Sequence, residues 1–336
     1  MEKHTQDIAQ LQKTPSARPG RVYKSVDDLE VKKRTMKDRF KQAAGNWELY
    51  VMVLPLVAFF FVFHYIPIYG VQIAFKDFMP SLGIWGSPWV GLKHFERFFN
   101  MHYAGRLIWN TLSISLYSLV AGFPAPIILA LAFNEIKDGK FKRFVQTVTY
   151  APNFISTVVI VGMIIAFLSP STGVINHFLD LVGINRHHFM QDPRWFRHIY
   201  VLSGIWQSTG WGTIIYLAAL SGVDTQLHEA ATIDGATRLQ RLWYINLPVL
   251  VPTMVILLIM NFGGIMSVGF EKAFLLQNPL NMQTSDIIAT FTYRTGLLEG
   301  QYSYSAAIGL FNSVINSVML LVVNWISAKY TDTSLL

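Results

Sequence analysis

Apolar residues in this chain collect into long separate blocks, with polar and charged stretches between them. Six blocks each hold the roughly 20 predominantly apolar residues that a helix needs to cross a hydrocarbon layer. The pattern predicts spans at about 49–73, 107–133, 145–168, 199–220, 249–270 and 306–328. "YVMVLPLVAFFFVFHYIPIYG" opens the set, and "FISTVVIVGMIIAFL", "TMVILLIMNFGGIM" and "VINSVMLLVVNWI" are among the clearest cores. Pro55, Pro124, Pro126 and Pro152 fall within or beside these blocks. Neighbouring helices can satisfy the backbone groups that a proline frees, so all four are read as tolerated. The expected fold is an all-α membrane protein of six transmembrane helices.

Composition agrees: 52% of the 336 residues are hydrophobic, 14% are charged, and the mean hydropathy is +0.36. A formal charge of +7 would suit a nucleic-acid partner if the basic residues were spread over a surface. They are not. Residues 1–48 carry 11 Lys and Arg, loop 134–144 carries 4, loop 221–248 carries 2 and the C-terminal tail carries 1. The alternate loops 74–106, 169–198 and 271–305 carry only 4, 3 and 2. An excess of Lys and Arg marks the cytoplasmic side, so both termini and loop 221–248 are expected there. The basic tail 1–46 reads as an anchor against anionic lipid headgroups, with disorder before about Val26, and not as a nucleic-acid arm. The three other loops, long and rich in aromatic residues, Gly and Pro, suit a surface that meets something outside.

Several chemistries are absent from the sequence. There is no cysteine, which removes disulfides, thiol catalysis and Cys-based metal sites. No Walker A sequence, H-E-x-x-H or G-x-S-x-G occurs. Within the spans, His64 is the one histidine, and beside Tyr65 and Tyr69 it reads as part of an interfacial belt. Spans without buried charge argue against ion coupling and voltage sensing. Neither ATP hydrolysis nor other covalent chemistry is expected of this chain, and no cofactor or metal is expected to bind it.

Loop 221–248 contains "EAATIDGATRLQRLWYINLP". Asp224 or Thr225 can cap a short helix carrying Leu227, Ala230, Ala231 and Ile233. Gly235 permits a sharp turn. A second short helix with Leu239, Leu242 and Ile245 then leads to Pro248, which opens the next span at a tolerated position. Ala230 and Ala231 leave room for another protein, and Glu229 offers a carboxylate to a partner's arginine.

The arrangement Glu229, Ala230, Ala231, three residues, Gly235, nine residues, Ile245-x-Leu247-Pro248 resembles the EAA loop of type-I ABC importer permeases, with Asp234 beside the glycine. The resemblance implies the type-I permease fold over 106–328, after a first helix and loop at 47–105 and before a short tail at 329–336. It implies a coupling helix lodged in a cleft of an ATP-binding subunit. It also implies partners: a second, different permease, two ATP-binding subunits that use ATP and Mg, and an extracytoplasmic solute-binding protein. "WVGLKHFERFF" is similar to a segment of sugar importer permeases. "SDIIATFTYRTGL" with "QYSYSAAIGLFNSVINSVMLLVVN" resembles the ending of permeases for complex oligosaccharides and polysaccharide fragments, including the lipoprotein-associated and alginate importer kind. A carbohydrate cargo and a bacterial cytoplasmic membrane location follow from the resemblance.

A path for that cargo is expected on the spans flanking the loop. "GIWQSTGWGTIIY" in the fourth is unusually polar for a membrane helix. Ser208 and Trp211 share a face there, with Gln207 beside them, and Asn261 and Gly264 give the fifth span a second such face. Trp can stack on a sugar ring, and Ser and Asn can bond its hydroxyls. The opposing reading is helix packing, for which Ser, Gly and Asn are common materials. Asn312 and Asn316 are read as interhelical hydrogen bonding. Two alternatives stay open: the same kind of permease with a non-sugar cargo, and a stand-alone channel or secondary carrier that would transport without partners.

Overall fold

The computed structural model describes residues 45 and 47–330. The basic tail expected at 1–46 lies outside the described residues apart from Gly45, and of the tail expected at 329–336 only the first two residues fall inside. Among the described residues the fold is helical, and β pairing is limited to one isolated bridge between Lys76 and Trp89. Helices keep every backbone hydrogen bond inside one segment, which hydrocarbon demands. The chain divides into two compact units at Pro67–Ile68.

The described part of the first unit is α1, Trp47–Phe60, continued by a π turn at Phe61–Tyr65, with Pro55 inside the helix. The second unit begins with a 3-10 turn, Tyr69–Phe75, and a short helix α2, Lys93–Phe99. There follow α3, Ala104–Gly122, and α4, Pro124–Glu135. Together they make one 32-residue apolar run. Pro124 falls at the first position of α4, where no helical N–H is needed.

Next come α5, Lys140–Tyr150, and α6, Thr157–Phe167. The segment expected as the third span is thus two helices, with a bend of 100° between the run ending at Phe154 and α6. Pro152 was expected to be tolerated. Instead it sits in a 3-10 turn, and Ser156 then starts a fresh helix by accepting from the Val159 N–H at 3.4 Å. A missing N–H and a new N-cap four residues on end one helix and begin another.

The longest of the central helices, α7, covers Pro193–Leu220, starting six residues before the expected boundary. Asp192 accepts from the Arg194 N–H at 3.0 Å and Pro193 takes the first position, a strong helix start. Beyond α7 lie α8, Thr225–Ile233; α9, Arg238–Arg241; α10, Leu247–Gly263; α11, Phe270–Leu276; α12, Ile288–Tyr293; and α13, Tyr302–Tyr330. By length and composition, four described runs can cross a membrane, at 47–75, 104–135, 238–263 and 302–329, or five if the bent pair is one span. The 28-residue α7 is long enough, but its polar residues keep it out of that apolar set.

Helix α7 is the hub: it packs against α3, α4, α5, α10 and α11. One buried cluster joins Phe196 and Val201 of α7 to Ile114 of α3, Val161 of α6 and Ala273 and Leu276 of α11. A second joins Tyr216 and Leu220 to Ile127, Ala130 and Leu131 of α4 and Leu250 of α10. A third, built on Phe98, Leu107, Phe291 and Ile308, seats α13. The connecting segments are ordered by paired polar groups, as burial requires. Asn110 donates to the carbonyls of Gln283 and Asp286 at 3.0 and 2.9 Å and accepts from Arg197 at 2.9 Å. Arg294 pairs with the buried Asp286 at 2.8 Å. Lys93, donating at 2.6 Å, holds the Asp77 carboxyl below its ordinary value.

At Gly210 the α7 and α5 backbones nearly touch: a Cβ there would stand 2.1 Å from the carbonyl oxygen of Thr149. Only glycine fits. Gly210→Ala should cost about 1–3 kcal/mol by forcing the helices apart, seen as a lowered melting temperature of the purified protein. Gly105→Ala, with nothing within 4 Å of the added methyl, is the control. Equal melting of Gly210→Ala and wild type would show that the contact is not this close.

Candidate coupling loop and solute cavity

The turn at 221–248 is fixed by its own atoms. Asp224 caps α8, its side chain accepting from the Gln226 N–H at 2.9 Å. At the other end the Ala236 N–H reaches Ala231 O at 2.8 Å and the Gly235 N–H reaches Thr232 O at 3.1 Å. That pair of bonds is the Schellman arrangement, which places the residue after the cap in the left-handed region. Gly235 occupies it, with φ +80. Thr237 then opens α9 with a capping box: its hydroxyl accepts from the Gln240 N–H at 3.3 Å, and the Gln240 side chain accepts from the Thr237 N–H at 2.8 Å. Arg241 bonds the Thr232 hydroxyl, tying α9 back to α8.

The expected second short helix is not a separate element. From α9 the chain passes through a π turn, Leu242–Asn246, directly into α10, giving one 26-residue helix from Arg238 to Gly263. Pro248 therefore lies within a continuous helix. The wider turn immediately before it relieves the clash that its ring and missing N–H create. Glu229, Ala230, Asp234, Gly235 and Pro248 are exposed, while Ala231, Ile245 and Leu247 are half-buried. Around them stand uncovered apolar side chains: Ile233 is 85% exposed and Leu239 72%. Glu229 joins no ion pair among the described residues.

The residues expected on the solute path come together. Gln207, Ser208 and Trp211 on α7, and Asn261 and Gly264 at the end of α10, all line one cavity of about 640 Å³. Its remaining wall includes Ser115 and Ser118 of α3, Pro126 of α4, Ser267 and Lys272. The Trp211 ring meets Phe154 edge-on at 5.6 Å and is half exposed, leaving a flat surface available. Ser208 donates to Gly204 O at 2.8 Å and Asn261 to Leu257 O at 2.7 Å, both inside their own helices. The hydroxyl oxygen and the amide carbonyl remain free to accept. Gln207 is more committed, donating across to Ile155 O at 3.2 Å and so bracing the turn before α6. Asn316 bridges α13 to the segment after α10, accepting from the Met266 N–H at 2.8 Å and donating to Ser267 Oγ at 2.9 Å.

Two lining groups were not singled out from sequence. Lys272 is the one charged residue among the described residues that line the cavity. Its Nζ donates to Tyr200 O at 2.9 Å and lies 5.0 Å from the Tyr200 ring centroid. Burial pushes its ammonium down to about 8. The available signal was a lysine flanked by "GGIMSVGFE" and "AFLL", apolar on both sides. Tyr200 lies in a run read only as apolar; its hydroxyl donates to Gly269 O at 3.3 Å. Among the described residues no cluster of three or more His, Asp or Glu could hold a metal ion.

Residues 122–332 match the family described as binding-protein-dependent transport system inner membrane component. Protein LplB of Bacillus subtilis (strain 168) is 42% identical over 287 residues, covering 85% of this chain and 90% of LplB. The polygalacturonan/rhamnogalacturonan transport system permease protein YteP of the same organism is 41% identical over 308 residues, covering 92% and 96%. A chain in the crystal structure of a bacterial alginate ABC transporter, in complex with an alginate pentasaccharide-bound periplasmic protein, superposes with a TM-score of 0.81 at 41% identity. That match covers 88% of this chain and 99% of the other. The chain therefore belongs to the binding-protein-dependent transport system inner membrane components, as a non-catalytic permease subunit of an ABC importer in the cytoplasmic membrane.

Proposed function

We propose that this permease carries an oligosaccharide or polysaccharide fragment into the cell by alternating access, with ATP hydrolysed by partner subunits. One observation carries the reading: the two helices that flank the 221–248 loop, α7 and α10, both line the same polar, aromatic-bearing cavity. A displacement of the loop is then a displacement of the cavity wall. The relatives support the cargo class, since YteP is named for polygalacturonan and rhamnogalacturonan and the superposed chain belongs to an alginate transporter.

In this reading the chain has six spans, the third broken and the fourth being α7, with both termini and loop 221–248 in the cytoplasm. Glu229, Ala230, Ala231, Asp234 and Gly235, with Ile245, Leu247 and Pro248 behind them, form the surface that docks in a cleft of an ATP-binding subunit. The partners are a second, different permease, two ATP-binding subunits and a solute-binding protein. Trp211 stacks on the cargo, while Ser208 and Asn261 bond its hydroxyls; Gly264 leaves space and Gln207 shapes the wall.

Three experiments test it. Single cysteines at Asp138 and Thr237 should stay unlabelled by impermeant thiol reagents added to intact cells; ready labelling of either would reverse the orientation. Gly235→Val puts a β-branched residue at φ +80, at a cost on the order of 1–3 kcal/mol. Membrane insertion should persist while uptake, and stimulation of ATPase activity by loaded binding protein, both fall sharply. Normal values for both would remove the loop's role. Finally, Trp211→Ala and Asn261→Ala should each assemble with partners and keep basal ATP hydrolysis, yet transport roughly tenfold or more slowly. Loss of assembly or thermal stability would make them packing residues instead.

A further inference from the structure

The cavity wall holds an ammonium that no carboxylate answers. Lys272 is 9% exposed, and among the described residues no Asp or Glu oxygen lies within 4.0 Å of its Nζ. The nearest acidic neighbour in sequence, Glu271, is exposed on a different face of α11. Of three ammonium hydrogens, one is spent on Tyr200 O at 2.9 Å, and the Tyr200 ring contributes its face at 5.0 Å from the centroid. A backbone carbonyl and a ring face orient a cation without neutralising it. A buried charge of this kind is costly unless an opposite charge meets it.

Its surroundings leave a place for that charge. Gly204, one turn along α7 from Tyr200, also lines the cavity, and a Cβ on it would stand 3.4 Å from Nζ. The glycine thus keeps side-chain bulk away from the ammonium on the cavity side. Tyr200 is itself held, its hydroxyl donating to Gly269 O at 3.3 Å. Two bonds of opposite direction therefore fix Lys272 and the start of α11 against α7. Ser208, Trp211 and Asn261 line the same space. The wall thus combines one fixed cation, one flat aromatic surface and several hydroxyl and amide groups. A neutral sugar would use the last two and leave the cation unanswered. A sugar acid, a pyranose ring bearing a carboxylate, would use all three.

We propose that Lys272 is the carboxylate-binding group of the solute cavity and that it selects uronate-containing saccharides as cargo. The proposal rests on the saccharide reading given above and narrows it. The carboxylate pairs with Nζ by charge-assisted hydrogen bonds from the two ammonium hydrogens that Tyr200 O leaves unused. No group is transferred, and the cation is regained when cargo leaves.

The test uses the complete importer in proteoliposomes: this chain, its second permease, the ATP-binding subunits and the binding protein. The probes are labelled trisaccharides of galacturonate, mannuronate and glucuronate, each beside its carboxyl-reduced neutral counterpart. Wild type should take up at least one of the three uronates. Lys272→Met should lower that uptake roughly tenfold or more, the loss expected when one partner of a buried charge pair is removed. Lys272→Arg should restore most of it, and both variants should still assemble with the partner subunits. Undiminished uronate uptake by Lys272→Met overturns the assignment. Uptake lost together with assembly, or lost equally in Lys272→Arg, makes Lys272 only a brace for α11 and overturns it as well. If wild type takes up neutral saccharides but none of the uronates, the saccharide reading stands and the acidic one falls. If it takes up no saccharide of either kind, both fall.

Discussion

The structure turns on how closely the backbone of α7 can approach its neighbours. Lipid chains are as apolar as leucine, so membrane helices are held together by packing and hydrogen bonds more than by expulsion of water. At Gly210 the approach to Thr149 leaves no room for a methyl group, and at Gly212 a Cβ would come within 3.1 Å of Pro126. These contacts bring α4 and α5 against one helix and let the same helix reach α3, α10 and α11. Its hydroxyls do not compete for that role. Ser203, Ser208, Thr209 and Thr213 each bond a carbonyl three or four residues back in α7. Polar side chains satisfied within their own turn can sit in a membrane helix and still offer lone pairs to a cavity.

That division of labour resolves the tension that the polar composition of α7 raises. On α7 glycines mark the closest backbone approaches, at Gly210 and Gly212, while Gln207, Ser208 and Trp211 line the cavity. The connecting segments obey another rule: Asn110, Asp286, Arg197 and Arg294 form a paired network that orders segments distant in sequence. The Asp286–Arg294 pair neutralises charge between segments, whereas Lys272 in the cavity wall has no such ion pair among the described residues.

Much of this was legible in the chain. Long apolar blocks gave the four described runs able to cross a membrane, because length and hydrophobicity decide that. The Gly235 turn was legible because the left-handed region excludes most other residues, and the Asp224 cap because a short oxygen side chain precedes a helical run. The Thr237–Gln240 box was equally readable in principle, being Thr-x-x-Gln, but the glycine two residues earlier is the louder signal. The breaks were harder to read. Pro152 and Pro248 obey the same local rule, yet one ends a helix and the other is absorbed by a π turn. The outcome is set by the neighbours of each proline: Ser156 caps a new helix after Pro152, and the widened turn at Leu242–Asn246 precedes Pro248. α10 stops at Gly263, whereas the apolar run suggested 270, because two glycines precede a stretch in which Asn316 accepts the Met266 N–H. Lys272 was hidden by arithmetic: counted among the basic residues of a loop, it lost its individual surroundings.

One consequence concerns mechanics. The caps on either side of Gly235 are closed by the loop's own side chains and carbonyls, so the turn has its shape before any partner arrives, and docking need not order it. In the coupling role proposed above, a push received there would enter one helical run from Arg238 to Gly263, at about 1.5 Å per residue a strut of roughly 40 Å. Such a strut transmits displacement well and bends where its ladder of hydrogen bonds is least regular. Those places are the π turn at Leu242–Asn246, with Pro248 just beyond it, and Pro252, which interrupts the ladder inside α10. In the role proposed for the loop, compliance lies in the stretch from Leu242 to Pro252, and the proline-free turns from Thr253 to Gly263 carry Asn261 as one stiff piece, so that a small stroke at Gly235 would tilt the cavity wall.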